Sequence, residues 1–227
     1  MKYGQQRNPL AVSIALIFLA LIIVSGNRII SNKTNNQIDS SYGFQTTSST
    51  YNNDKKQDSI IHQSEVGAGT KIDEYKGVAV YSNGSDYMSS HGLNYSKDGY
   101  YYGYKWQCVE FVKRFYYEKY KYKMPDGAGN AKYFFNPMLQ QGELNKQRGL
   151  VQFQNGGDIK PAADDLLVFT KGSYGHVAII CDVGDDWVEV IQQNSEVPRE
   201  RFKLVVKDGR YTIRGDKEPA GWLRLDI

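Results

Sequence analysis

Between Ser31 and Ser59, 18 of 29 residues are Ser, Thr, Asn or Gln. The stretch has few apolar anchors and no hydrophobic period. It cannot bury enough surface to offset its chain entropy, so it reads as a flexible tether. That reading constrains the fold more than any other feature, because it confines the packed part of the 227-residue chain to the residues C-terminal to the tether. Three segments result: residues 1–26, a linker over 27–70, and a domain over 71–227 of ordinary single-domain size.

The first segment carries an apolar run of fifteen residues from Leu10 to Val24, broken only by Ser13 and preceded by Lys2 and Arg7. A membrane helix needs about 20 apolar residues and a signal-peptide core about 7–15. Residues 10–26 are therefore read as a membrane-contacting signal anchor or a cleaved signal peptide. Either places the domain beyond the tether on the extracytoplasmic side, anchored or exported.

Other classes are excluded by what the chain lacks. A net charge of +3 with no basic run gives no electrostatic footprint for nucleic acid. Two cysteines and three histidines, without CxxC or HExxH spacing, provide neither a disulfide scaffold nor a zinc set. Gly127-Ala128-Gly129 lacks the strand and Lys-Ser/Thr frame of a phosphate loop. No metal and no cofactor are expected.

Within the domain, Gly77–Tyr81 reads as a strand before an Asn83-Gly84 turn. Trp106–Tyr122 reads as a helix with Val109, Val112, Tyr116 and Tyr120 on its apolar face, ended by Met124-Pro125-Asp126-Gly127. A short helix is expected from Ala131 to Leu139. Strands are expected at Leu166–Phe169, His176–Asp182, Trp187–Asn194, Phe202–Val206, Tyr211–Ile213 and Trp222–Leu225. A helix followed by antiparallel strands makes an α+β domain.

The chemistry gathers on a few residues. Cys108 stands at the start of the helix, where unpaired N–H groups and the helix dipole favour an anion. A thiol there falls from about 8.5 to roughly 3.5–7.5, which makes a nucleophile. His176 opens an apolar strand after Gly175 and is the candidate base. If Gly184-Asp185-Asp186 is the connecting loop, Val183 pairs with Trp187. Counting back sets His176 opposite Asn194, with Gln192 a diagonal neighbour on the same face and Glu189 facing away. Gln192 and Asn194 are thus the candidates for holding the imidazole. Cys181 is read as a small buried hydrophobe, with no disulfide to Cys108.

Taken together, Tyr104–Phe115 with its Trp106-Gln107-Cys108-Val109-Glu110-Phe111 core, Gly175-His176-Val177-Ala178-Ile179 and Gln192-Gln193-Asn194 resemble a CHAP domain. That is the family of cysteine- and histidine-dependent amidohydrolases and peptidases. Gly77–Ser82 and Leu204–Thr212 narrow the resemblance to glutathionylspermidine-type amidases. The resemblance implies a papain-like α+β fold, with the cysteine helix packed on an antiparallel sheet. It implies an acyl-enzyme amidase without cofactor, acting on an amide or peptide. Cys108, His176, Gln192 and Asn194 become catalytic, with the Cys108 N–H and Gln107 at the oxyanion and Trp106 and Lys113 toward substrate. Gln192 departs from the family, which usually has Glu there. Cell-wall peptide stays open as a substrate. So does a second reading, a hydrolytically weakened envelope-binding module lined by Tyr100, Tyr101, Tyr102 and Tyr104.

Overall fold

A computed structural model describes residues 62–125 and 129–226. The Leu10–Val24 run, the Ser31–Ser59 stretch and the Asp126-Gly127 end of the helix stop signal lie outside the described residues. Among the described residues, no helix is long and apolar enough to cross a membrane.

A 3-10 turn at Gln63–Glu65 precedes twelve strands and one α-helix: β1 Lys71–Tyr75, β2 Val78–Tyr81, β3 Leu93–Tyr95, β4 Tyr101–Tyr104, α1 Cys108–Tyr120, β5 Glu143–Asn145, β6 Leu150–Gln154, β7 Leu166–Phe169, β8 His176–Val183, β9 Trp187–Ile191, β10 Arg199–Lys207, β11 Arg210–Arg214 and β12 Gly221–Arg224. Strands β5–β12 form one sheet in the order β11-β10-β9-β8-β7-β12-β6-β5, and its pairs are antiparallel. β1-β2 and β3-β4 are separate ribbons. The expected Ala131–Leu139 helix is only a 3-10 turn over Ala131–Phe134. It ends at Phe135, whose backbone is extended.

The domain begins earlier than Lys71. Gln63 is fully buried, its N–H donates to Glu196 O and its carbonyl accepts from Ser82 Oγ. Residues 62–70 therefore belong to the fold and not to the tether, despite their polarity, because the turn satisfies its backbone groups against the domain.

Helix α1 lies on one face of the sheet. Its buried stripe is Cys108, Phe111, Val112, Phe115 and Tyr116, packed with Val168, Val177, Ile179, Ile191 and Leu223. The stripe is rotated from the expected one. Val112 and Tyr116 are in it, whereas Val109 and Tyr120 sit at its margin and Phe111 and Phe115 fill its centre. Complete burial of such side chains stabilises by roughly 1.5–3 kcal/mol each. At the far end, Lys121 turns left-handed (φ 56°), and the N–H groups of Lys121 and Tyr122 close onto the carbonyls of Tyr117 and Tyr116. The opposite face buries Phe153, Ala178, Ile180, Val190, Phe202 and Trp222. An isolated bridge, Gly157–Tyr211, joins the chain just after β6 to the edge strand β11.

The β8–β9 register reaches the expected pairing by a different route. Val183 pairs with Val188, not Trp187, so the turn is one residue longer than expected. An irregularity between Ile180 and Asp182 places Cys181 as the extra residue and restores Ile179↔Ile191. Carried past the end of β9, that register sets His176 level with Asn194.

Candidate active site

Cys108 is the first residue of α1, capped by Gln107 in extended conformation. Strand β4 crosses close to this helical turn. A Cβ on Gly103, which has φ 148°, would stand 3.1 Å from Glu110. The thiol is 8% exposed, both cysteines are free, and Sγ meets the N–H groups of Val177, Val109 and Cys108. Those donors favour the anion, as a helix start should. Burial outweighs them and pushes the thiol up to about 11. The expected thiolate near neutrality is therefore not the resting state; desolvation wins over the helix terminus.

His176 is partly buried at the start of β8, behind Gly175 (φ 72°). A Cβ on Gly175 would lie 2.5 Å from Phe169 O and 2.7 Å from Lys132 N, so only glycine lets the chain enter the strand here. His176 Nε2 lies 2.9 Å from Gln192 Oε1. The Gln192 amide group donates to Val197 O (3.2 Å) and Glu200 Oε2 (3.1 Å). Both amide hydrogens are committed, so Oε1 is the acceptor and Nε2 carries the imidazole proton. Nδ1 is left as the acceptor. Burial pulls His176 down to about 4, opposed by the Gln192 hydrogen bond and assisted by Lys217. No hydrogen bond joins Cys108 to His176 among the described residues. Their structural link is the backbone of Val177, the residue after His176.

Asn194 does not hold the imidazole. It turns left-handed (φ 60°), leaves the strand, and donates to Gln107 Oε1 (2.6 Å) and Tyr87 O (3.0 Å). Gln107 donates to Ser89 O (2.8 Å) and Tyr87 O (3.2 Å). Both of its amide hydrogens are engaged with the 86–89 loop. Asn83 ties this cluster together: it is buried, donates to Asn194 Oδ1 (3.1 Å) and Ser89 O (3.2 Å), and accepts from Trp106 N (3.2 Å). As half of an Asn-Gly pair it carries no sequence signal beyond a turn.

Gln193 is a second residue that sequence reasoning passed over. Its amide donates to Glu110 Oε2 (2.7 Å) and Gln107 O (3.1 Å) and accepts from Tyr81 N and Arg114. Beneath it lies a buried ion pair, Glu110 and Arg114, at 2.5 Å. Lys113 is buried, donates to Tyr101 O and lies over the Tyr100 and Tyr101 rings. These contacts tie it to the tyrosine ribbon. Trp106 packs on Tyr81 at 4.3 Å between ring centroids. Tyr100 and Tyr102 pack on each other and on Tyr117, and Tyr101 on Tyr95. Of the four tyrosines before the cysteine, Tyr104 is exposed, Tyr100 and Tyr101 are half-buried and Tyr102 is buried. No cluster of three or more His, Cys, Asp or Glu suited to a metal occurs among the described residues. Two surface cavities, of about 250 and 420 Å³, involve neither Cys108 nor His176.

Residues 99–194, the span that contains Cys108, His176, Gln192 and Asn194, match the CHAP domain family. This chain carries a CHAP domain. It is 32% identical over 170 residues to the bifunctional glutathionylspermidine synthetase/amidase of Escherichia coli (strain K12), covering 65% of this chain and 27% of that protein. The Shigella flexneri protein of that name matches equally. Trypanothione synthetase of Crithidia fasciculata is 30% identical over 161 residues, covering 64% of this chain and 24% of the relative. The chain thus spans about a quarter of the length of these relatives. The match puts the domain in a family of Cys-His amidohydrolases.

Proposed function

We propose that the CHAP domain is a thiol amidase with Cys108 as nucleophile and His176 as general base. The observation that carries the reading is the 2.9 Å contact of His176 Nε2 with Gln192 Oε1. Gln192 holds Nε2–H and leaves Nδ1 to take a proton beside the strand end that meets the thiol. Cys108 Sγ attacks the amide carbonyl as its proton passes to Nδ1. The C–N bond then breaks, the imidazolium proton leaves with the amine, and an acyl thioester remains. Water attacks the thioester with the same base, releasing the acid and the thiol. Near neutrality both partners rest uncharged, so the thiolate–imidazolium pair is a minor form with the same proton count.

The proposed substrate is an amide joining an acyl group to an amine. The names of the relatives favour a glutathionylspermidine-type amide. Export through residues 1–26, should it occur, favours a cell-wall peptide instead. The tyrosine-lined binding module is the weaker reading, because Tyr100, Tyr101 and Tyr102 are engaged in ring packing with neighbouring tyrosines.

The test is mass spectrometry of products from glutathionylspermidine and, separately, from peptidoglycan. Wild-type protein should cleave one of them, and Cys108→Ala should cleave neither while melting normally. Equal hydrolysis by the variant would remove the mechanism.

A further inference from the structure

Gln192 occupies the place where a carboxylate would act most directly on the imidazole. The structure holds a carboxylate one residue further out. β10 pairs with β9 as Arg199↔Ile191 and Glu200↔Val190, and Gln192 N–H continues the ladder to Pro198 O. Glu200 is therefore the diagonal neighbour of Gln192 on the same face. Its Oε2 lies 3.1 Å from Gln192 Nε2, while Gln192 Oε1 lies 2.9 Å from His176 Nε2. We infer that Glu200 is a positioning residue of the site, acting on His176 through the Gln192 amide. The inference rests on the thiol amidase reading and adds the source of the missing negative charge.

The chemistry stems from the amide. A carboxylate accepting an amide N–H draws the group toward its charge-separated form, which makes the carbonyl oxygen a better acceptor. That oxygen is the one facing His176, so the imidazolium is stabilised across one intervening group. Orientation does not need Glu200, because Val197 O takes the other amide hydrogen. What Glu200 alone supplies is charge. The other charged groups around the imidazole work against it or stand aside. Lys217 disfavours the imidazolium, and Lys132 packs on Gly175 through its backbone N–H and Cβ. Glu200 is exposed, so its effect is screened and should weaken with salt.

The experiment is alkylation of Cys108 by iodoacetamide from pH 4 to 10 in the full chain, with peptide mapping to separate Cys108 from Cys181. Glu200→Gln keeps an acceptor for Gln192 and removes the charge. It should lower the labelling plateau at pH 5–8 by about two- to tenfold, equivalent to a few tenths to one pKa unit. Labelling at high pH, where the thiol ionises by itself, should not change. Raising salt should slow the wild type toward the variant. Glu196→Gln, on the same connection but with its carboxylate facing His62 at 3.7 Å and its carbonyl accepting from Gln63 N–H, should leave the profile unchanged. If Glu200→Gln matches wild type while His176→Ala does not, the inference is overturned and the amidase reading stands. If His176→Ala also matches wild type, the amidase reading itself falls.

Discussion

Replacing Arg114 with Ala isolates the buried ion pair within the cysteine helix and its tie to the β1-β2 ribbon. Arg114 Nε lies 2.5 Å from Glu110 Oε1, and Nη1 donates to Ala79 O at 2.8 Å. The two side chains are 6% and 0% exposed. Removing the guanidinium leaves Glu110 buried with the neutral donors Asn94 (2.8 Å) and Gln193 (2.7 Å) and no cation. Breaking a buried pair from one side costs roughly 3–5 kcal/mol. At about 2–4 °C per kcal/mol for a domain of this size, the melt should fall by roughly 6–20 °C. The assay is thermal unfolding of wild type and variant at pH 7. Glu110→Gln with Arg114→Met, which removes both charges, should lose less than the single variant. A single-variant loss below about 1 kcal/mol at pH 7, within the range of exposed pairs, would refute the view that this pair is buried and coupled.

Gln192→Glu alone should raise the His176 pKa less than the roughly 1–3 units of a close carboxylate, because the new charge would face Val197 O and Glu200. Combining it with Glu200→Gln should release the full rise, read by NMR titration of the imidazole. A fragment beginning at His62 should melt higher than one beginning at Lys71, which lacks the buried Gln63; equal melts would move the boundary back to residue 71. His176 is held at about 4 against an ordinary 6.5. The unfolded chain thus binds the proton first, and stability present above pH 6.5 is lost as pH falls toward 4. Urea unfolding at pH 7 and 4.5 should show a loss up to about 3 kcal/mol in wild type relative to His176→Gln; parallel losses would mean that the imidazole titrates normally.

The parts of this protein legible in its sequence are those where burial is continuous. Leu166–Phe169 and the Val177–Ile180 run of β8 are central strands covered on both faces, and their apolar runs mark them. Lys71–Tyr75, Glu143–Asn145 and Tyr101–Tyr104 are short or polar strands that no hydrophobic period announces. The helix is legible, but its face lies one position off the expected one, because Phe111 and Phe115 share the stripe with Val112 and Tyr116. Cys108, His176 and Gln192 can be located by their places at element ends. The targets of Gln107 and Asn194 cannot, because a side-chain amide's partners depend on how loop 86–89 folds back, which spacing does not encode. The thiol's acidity escapes the sequence for a related reason: a helix start is visible there, whereas the depth at which it is buried is not.

The central claim is that His176 governs the reactivity of Cys108. The measurement that tests it most directly is the rate of Cys108 alkylation by iodoacetamide against pH in wild type and His176→Ala. Labelling tracks the minor thiolate–imidazolium form, which appears as the doubly protonated pair loses its first proton. The wild-type rate should therefore step up near pH 4, hold a plateau through neutrality, and rise again only as the thiol itself approaches its pKa of about 11. His176→Ala should lose the step and the plateau and keep only the upper rise. Superimposable profiles for the two proteins would contradict the pairing of Cys108 with His176.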